Sequence, residues 1–131
     1  MQAMKKVLPL LLTTVALLML FNCAAAGTTP TFEDRDWTYV SRDAQPTIRF
    51  SSATHEVTGS TGCNQLSGTY TITGTSLTFG PLATTKRACE GPVMQVEREL
   101  LQGLQHARRW AVRDGELELT DDAGGVVARF R

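Results

Sequence analysis

The sequence has no excess of charge of either sign, because thirteen Lys and Arg residues balance thirteen Asp and Glu residues over 131 positions. Proteins that bind nucleic acids usually carry a basic excess or a basic stripe, so this balance argues against that class. Histidine is scarce, and the three cysteines form no Cys-x2-Cys pair of the kind found in zinc sites. The sequence therefore predicts no nucleic-acid partner, no metal site and no cofactor.

A catalytic constellation is also missing from the sequence. A cysteine hydrolase needs a histidine base beside its nucleophile, and only His55 and His106 are present. His55 lies in a polar stretch that predicts a turn, and His106 falls in the last turn of a predicted helix. We therefore expect no catalytic residues and no enzyme activity.

No apolar run near the N-terminus is long enough for a spanning helix. Val7–Phe21 follows Lys5 and Lys6 and contains fifteen uncharged residues. A helix needs about 20 apolar residues to cross roughly 30 Å of hydrocarbon. A shorter run after positive charges is typical of a signal peptide, so the sequence predicts an exported protein.

Two cleavage sites compete in this leader. In the first, Leu20–Cys23 is a bacterial lipobox, residues 1–22 are the signal peptide, and Cys23 becomes the lipidated N-terminus. In the second, Ala24–Ala26 is an ordinary signal-peptidase site, and residues 1–26, including Cys23, are removed. The first predicts a protein held on a membrane of the bacterial envelope through its lipid, and the second a protein of the periplasm.

The exported part divides into a tether and one domain. Residues 23–35 are rich in threonine, lack periodicity and predict a flexible tether. Residues 36–131 show mostly alternating apolar and polar positions, which predict short antiparallel strands. One segment, from about Pro92 to His106, has helical spacing instead. Its apolar stripe consists of Val93, Val96, Leu100, Leu104 and Ala107.

These elements predict an α+β fold, in which one amphipathic helix and one apolar sheet face bury each other. We expect a strongly curved antiparallel meander, or partial barrel, with the helix packed across its open side. Asp114–Gly115 predicts a type I′ hairpin turn near its end. Gly103 lies within the helix, where it favours a close approach to the sheet. Trp37 and Trp110 are expected in the core, although an exposed aromatic patch is the alternative.

Two cysteines remain in the domain, Cys63 and Cys89, which lie 26 positions apart. An even number of cysteines in an exported chain favours a disulfide bond. A reactive thiol and a metal site are the alternatives. In the chain-entropy model a bond closing a loop of this length stabilises the fold by about 3.5 kcal/mol.

Both cysteines lie in segments that resemble a known family. Gly62–Tyr70, with the sequence GCNQLSGTY, resembles the GCN segment of the META domain family, and Leu82–Cys89, with the sequence LATTKRAC, resembles its second cysteine segment. The family includes the HslJ-type heat-shock proteins of the bacterial envelope. The resemblance covers residues 36–131 and implies a curved antiparallel sheet with one helix. It also implies an envelope or stress-linked role.

The two cysteine segments supply the candidate recognition loops. Their candidate residues are Asn64, Gln65, Thr84, Thr85, Lys86 and Arg87. Asn64 is explained either by its effect on backbone shape or by ligand contact, while Lys86 and Arg87 belong either to a solvated loop or to a site for an anionic envelope ligand. We expect a monomeric, non-enzymatic binding or protective module whose partner is an unidentified envelope protein or ligand. The alternative is an inhibitor or partner of an envelope protease, acting through Thr84–Ala88.

Overall fold

The computed structural model describes residues 31–131, so the predicted signal peptide, Cys23 and residues 23–30 of the predicted tether lie outside the described residues. Nine strands and one helix follow each other along the described chain. Their bounds are β1 Asp36–Thr38, β2 Thr47–Phe50, β3 Glu56–Ser60, β4 Gln65–Thr73, β5 Ser76–Phe79, β6 Ala83–Thr84, α1 Gly91–His106, β7 Arg109–Arg113, β8 Glu116–Thr120 and β9 Val126–Phe130.

All the strand pairs are antiparallel and belong to one curved sheet. The strand order is β1-β2-β3-β4-β5-β7-β8-β9, and β6 pairs with β4 beside this path. The sheet is not closed into a barrel, although an isolated bridge between Tyr39 and Phe130 connects the two ends of the order. This arrangement confirms the predicted α+β fold with a partial barrel.

Alternation within the strands explains which face of the sheet is buried. In β2, Ile48 and Phe50 are buried, while Thr47 and Arg49 are exposed. In β8, Leu117 and Leu119 are fully buried. Because successive side chains of a strand point to opposite faces, these residues line one apolar interior.

The helix covers this interior with the stripe that its spacing predicts. Val96, Leu100 and Leu104 are buried, and α1 contacts β9, β8 and β5. Gly103 is buried against β9, and a Cβ atom built on it would lie 2.3 Å from the carbonyl oxygen of Val127. The helix therefore approaches the sheet backbone at the position where it lacks a side chain. Among residues 31–131, no helix has the length and apolar character needed to cross a membrane.

The predicted type I′ turn is present between β7 and β8. Asp114 has φ 52° and Gly115 has φ 80°, so both central residues adopt the positive φ that this turn requires. Trp37 is fully buried as expected. Trp110 is only partly buried and packs at the edge of the core, with its indole N–H donating to the Gly74 carbonyl at 3.0 Å.

The folded unit begins earlier than the predicted boundary at residue 36. Phe32 is fully buried within the hydrophobic core, and its carbonyl oxygen accepts a hydrogen bond from the Trp37 indole at 2.7 Å. The prediction that the tether extends to residue 35 is therefore wrong for residues 32–35. A single phenylalanine in a threonine-rich stretch gives no periodic signal, so the pattern of the sequence did not reveal it.

Candidate functional site

The two cysteine segments meet at one side of the sheet. Cys63 and Cys89 form a disulfide bond, with their Cα atoms 6.0 Å apart. The bond joins the turn before β4 to the segment between β6 and α1. Both cysteines are half-buried. The candidate residues of the two segments, which are far apart in sequence, therefore lie beside each other.

Asn64 connects these segments through its side chain, which is almost fully buried. Its Nδ2 atom donates to Glu97 Oε2 at 2.9 Å and to the Arg87 carbonyl oxygen at 3.1 Å. Its Oδ1 atom accepts from the Arg87 backbone N–H at 2.7 Å and from the Thr85 hydroxyl at 2.9 Å. These bonds use both donors and both lone pairs of the amide. Asn64 therefore links the two cysteine segments to each other and to α1 from the buried side, and its side chain is not available to a ligand.

Two further residues complete this network, and the sequence did not single them out as part of the site. The Thr61 hydroxyl, which is fully buried, donates to Glu97 Oε2 at 2.5 Å and accepts from the Asn64 backbone N–H at 2.8 Å. Glu97 is buried on α1, and in residues 31–131 no salt bridge involves it. The sequence did contain a signal that Glu97 is buried. Glu97 lies three residues before Leu100 and therefore falls on the apolar face of the helix.

The remaining candidate residues form a surface above the network. Backbone pairing aligns the two segments, since the Thr85 N–H donates to the Gln65 carbonyl at 3.1 Å and the Gln65 N–H donates to the Thr85 hydroxyl at 3.0 Å. Thr84 is half-buried in β6. We define the cystine-loop surface as the exposed residues Gln65, Thr85, Lys86, Arg87 and Ala88.

Lys86 and Arg87 give this surface its charge. Both side chains are exposed, and within the described part of the chain neither enters a salt bridge. The Arg87 backbone is held at both its N–H and its carbonyl group by Asn64. Two cations are thus presented to solvent from a segment whose backbone is fixed.

The histidines and cysteines are not arranged as a nucleophile and base. Cys63 and Cys89 are bonded to each other, His55 lies in the turn between β2 and β3, and His106 ends α1. The residues from 31 to 131 contain no group of three His, Cys, Asp or Glu side chains able to hold a metal ion.

A second polar cluster lies at the turn between β2 and β3. The Tyr70 hydroxyl contacts the Glu33 carboxylate and lies 2.9 Å from the Ser51 carbonyl oxygen. Burial raises the pKa of Tyr70, and the hydrogen bond to Glu33 raises it further. Asp34 accepts two hydrogen bonds from Ser52, from its hydroxyl at 2.5 Å and its backbone N–H at 3.0 Å, and these bonds lower the pKa of Asp34.

The sequence model of the META domain matches residues 25–131. The chain belongs to the META domain family. This match confirms the resemblance that the two cysteine segments indicated. It begins before the predicted domain boundary at residue 36, which agrees with the burial of Phe32 in the core. No curated protein sequence matches the chain.

Two solved structures are similar in fold to this chain. A protein from Burkholderia xenovorans, whose structure was determined by NMR, is 26% identical and superposes with a TM-score of 0.61; the match covers 76% of this chain and 81% of that chain. A second protein with an NMR structure is 18% identical, with a TM-score of 0.59, and the match covers 76% of this chain and 90% of that chain. The second likeness shows the fold alone.

Proposed function

We propose that this META-domain protein is an exported, non-enzymatic component of the bacterial cell envelope that binds a partner through the cystine-loop surface. The observation that supports the proposal is the pair Lys86 and Arg87, which are exposed on a segment held by Asn64 and by the disulfide. Because the backbone of this segment is already ordered, the segment loses less conformational entropy when a partner binds. An anionic envelope ligand or an acidic surface of an envelope protein fits this charge.

The proposed export is supported by the leader and by the cysteine pair. Val7–Phe21 has the length of a signal-peptide core, and stable disulfides are typical of oxidising compartments. Lipidation of Cys23 would hold the domain on a membrane, whereas cleavage after Ala26 would release it into the periplasm. Labelling cells with a clickable palmitate analogue separates the two, because only the lipoprotein incorporates the label at Cys23 and loses it in Cys23→Ser.

The stress-linked part of the proposal is supported by family membership, since the family includes envelope heat-shock proteins. The expected role is protection through binding, with the domain acting as a monomer. Survival of a deletion strain after heat stress, compared with the same strain carrying the wild-type chain, measures this part separately from binding. Equal survival of the two strains would contradict it.

Protease inhibition is the second candidate, and it depends on an exposed, fixed loop at Thr84–Ala88. Inhibitory loops need free backbone groups to pair with the protease cleft. In this chain the Arg87 N–H and carbonyl groups are occupied by Asn64, and the Thr85 N–H is occupied by Gln65. The geometry therefore favours recognition through side chains over insertion into a cleft. Full activity of envelope proteases in excess protein would exclude the inhibitor.

Affinity purification from crosslinked envelopes tests the binding surface. We expect a specific partner to be captured by the wild type and lost with the double substitution Lys86→Ala/Arg87→Ala. The matched control is Arg113→Ala/Arg131→Ala, which removes two exposed cations far from both cysteine segments in sequence. A partner that is captured equally by all three proteins would contradict the proposed surface.

Cys63→Ser gives a second comparison in the same experiment. It retains Lys86 and Arg87 but removes the covalent link below them. We expect weaker capture than with the wild type, because the segment that carries Lys86 and Arg87 must then lose conformational entropy when the partner binds. The partner could also be lost with Cys63→Ser and kept with Lys86→Ala/Arg87→Ala. That result would mean that the partner contacts other residues of the two cysteine segments.

A further inference from the structure

Phe32 fills an aromatic pocket at the end of the sheet next to the turn between β2 and β3. Its ring centroid lies 4.8 Å from that of Phe50, 4.8 Å from that of Trp110 and 6.1 Å from that of Tyr70. These three rings belong to β2, β7 and β4, so the walls of the pocket are built by the sheet. The ring that fills the pocket comes from outside every strand.

The segment carrying this ring is attached to the domain by the buried Phe32 ring, by the bond from the Trp37 indole to the Phe32 carbonyl, and by a few polar contacts of its other residues. Asp34 accepts from Ser52, the Arg49 side chain donates to the Asp34 carbonyl at 2.9 Å, and Glu33 meets the Tyr70 hydroxyl. The bonds of Ser52 and Arg49 to Asp34 are exposed to solvent. Exposed hydrogen bonds of this kind contribute little each, so local opening of the segment costs mainly the burial of the Phe32 ring, which another aromatic ring in the same place would restore.

The backbone of the segment also favours opening. Asp34 has φ 61°, which is the left-handed conformation that non-glycine residues adopt at an energetic cost. That cost is removed when the segment leaves the domain. The segment belongs to no strand, so its departure breaks none of the strand pairs, although it breaks the backbone hydrogen bond from the Asp34 N–H to the Phe50 carbonyl of β2 at 2.8 Å.

We propose that residues 31–35 form a displaceable strap, and that the pocket under Phe32 binds a small uncharged aromatic molecule when the strap opens. The pocket suits such a ligand because rings from three strands surround the place of the phenyl group, and aromatic rings pack favourably edge to face. This proposal is independent of the cystine-loop surface.

Toluene, which matches the side chain of phenylalanine, is the probe for this pocket. The sequence contains only two tryptophans, so their indole N–H signals in NMR spectra report directly on the region. The Trp37 indole donates to the Phe32 carbonyl and reports on strap opening, while the Trp110 ring lines the pocket. We expect toluene to shift the Trp110 signal of the wild-type protein in a saturable manner.

Ser52→Ala weakens the strap without changing the pocket walls. Apparent affinity equals the intrinsic affinity multiplied by the open fraction, so we expect the apparent Kd for toluene to fall by roughly threefold to tenfold. Hydrogen exchange of the Trp37 indole N–H should accelerate by the same factor. The matched control is Ser76→Ala, which removes an exposed serine hydroxyl from β5 and should change neither quantity.

Three results would overturn the proposal. The first is the absence of a saturable toluene shift in both the wild type and Ser52→Ala. The second is an equal apparent Kd in the wild type, Ser52→Ala and Ser76→Ala. The third is exchange of the Trp37 indole N–H only at the rate of global unfolding, which would make the strap an inseparable part of the core.

Discussion

The side-chain amide of Asn64 pairs with the backbone of Arg87 as one β-strand pairs with another. The amide accepts from the Arg87 N–H at 2.7 Å and donates to the Arg87 carbonyl at 3.1 Å. Arg87 belongs to no strand, and β6 ends at Thr84. Asn64 therefore substitutes for strand pairing where the ladder has stopped, and the Cys63–Cys89 bond secures the same segment two residues further on.

Asn64→Asp should destabilise the domain although it is nearly isosteric. The new carboxylate oxygen would face Glu97 Oε2 where Nδ2 now donates at 2.9 Å, so a buried hydrogen bond becomes a like-charge contact. We expect a loss of about 3 kcal/mol in the free energy of unfolding at pH 7, measured by urea denaturation. The control Gln65→Glu adds a charge at an exposed neighbour and should cost much less. An equal loss in both variants would contradict the role given to Asn64.

Glu97 should be replaceable by glutamine but not by leucine. Thr61 and Asn64 both donate to the same oxygen, Oε2, so the amide oxygen of Glu97→Gln can accept both bonds. We expect a change within about 1 kcal/mol for this variant. Glu97→Leu leaves two buried donors without acceptors and should cost roughly 2–4 kcal/mol. Urea denaturation of the two variants side by side makes the comparison, and similar losses would show that the charge itself is required.

Reduction of the disulfide should lower the free energy of unfolding by about 3.5 kcal/mol, because the unfolded chain regains the freedom of the closed loop. The bond spans 26 residues in sequence. Since Asn64 still holds Arg87 in the folded state, we expect the reduced protein to keep its fold at room temperature. Thermal and urea unfolding with and without a phosphine reductant measure the effect, and unchanged stability would contradict it.

The strands and the helix were predictable because their periodicity lies within single segments. Ile48 and Phe50 alternate with polar residues, and Val96, Leu100 and Leu104 recur at helical spacing, so each segment indicates its own buried face. The same logic fails for β6, which is the two-residue strand Ala83–Thr84 and is too short to show a period.

The internal structure of the candidate site depends on contacts between distant segments. Asn64 meets Arg87, 23 residues away, and Glu97, 33 residues away, and neither partner can be assigned from local pattern. The charge of Glu97 argues for an exposed position, whereas its place on the apolar face of the helix indicated burial. Phe32 escaped prediction for a related reason, since its partners Phe50 and Trp110 come from strands elsewhere in the chain.

Gly103→Ala sets two opposing effects against each other. Alanine favours a helix over glycine by roughly 1 kcal/mol. The added Cβ atom, however, would lie 2.3 Å from the carbonyl oxygen of Val127 and 3.2 Å from its carbonyl carbon, so α1 or β9 must shift. Overpacking of this kind costs about 1–3 kcal/mol. Because the clashing atoms belong to the backbone, we expect the upper end of this range and a net loss in the free energy of unfolding.

Thermal and urea denaturation of Gly103→Ala measure this balance. The matched control is Gln102→Ala, the preceding position of the same helix, where the side chain is exposed and the change should be nearly neutral. Stabilisation by Gly103→Ala would mean that α1 does not approach β9 as closely as the structure places it.

Tyr70 should make the domain less stable at high pH. Burial and the contact with Glu33 raise the pKa of its phenol above the ordinary value of 10, so the folded state holds the proton more tightly than the unfolded state does. The stabilisation is fully present below about pH 10 and is lost as the pH rises beyond it, because the unfolded chain ionises first. Urea denaturation between pH 8 and pH 11 in the wild type and in Tyr70→Phe isolates this contribution. We expect the wild-type free energy of unfolding to fall more steeply above about pH 10 than that of Tyr70→Phe, and parallel curves would show that the Tyr70 proton is not held by the fold.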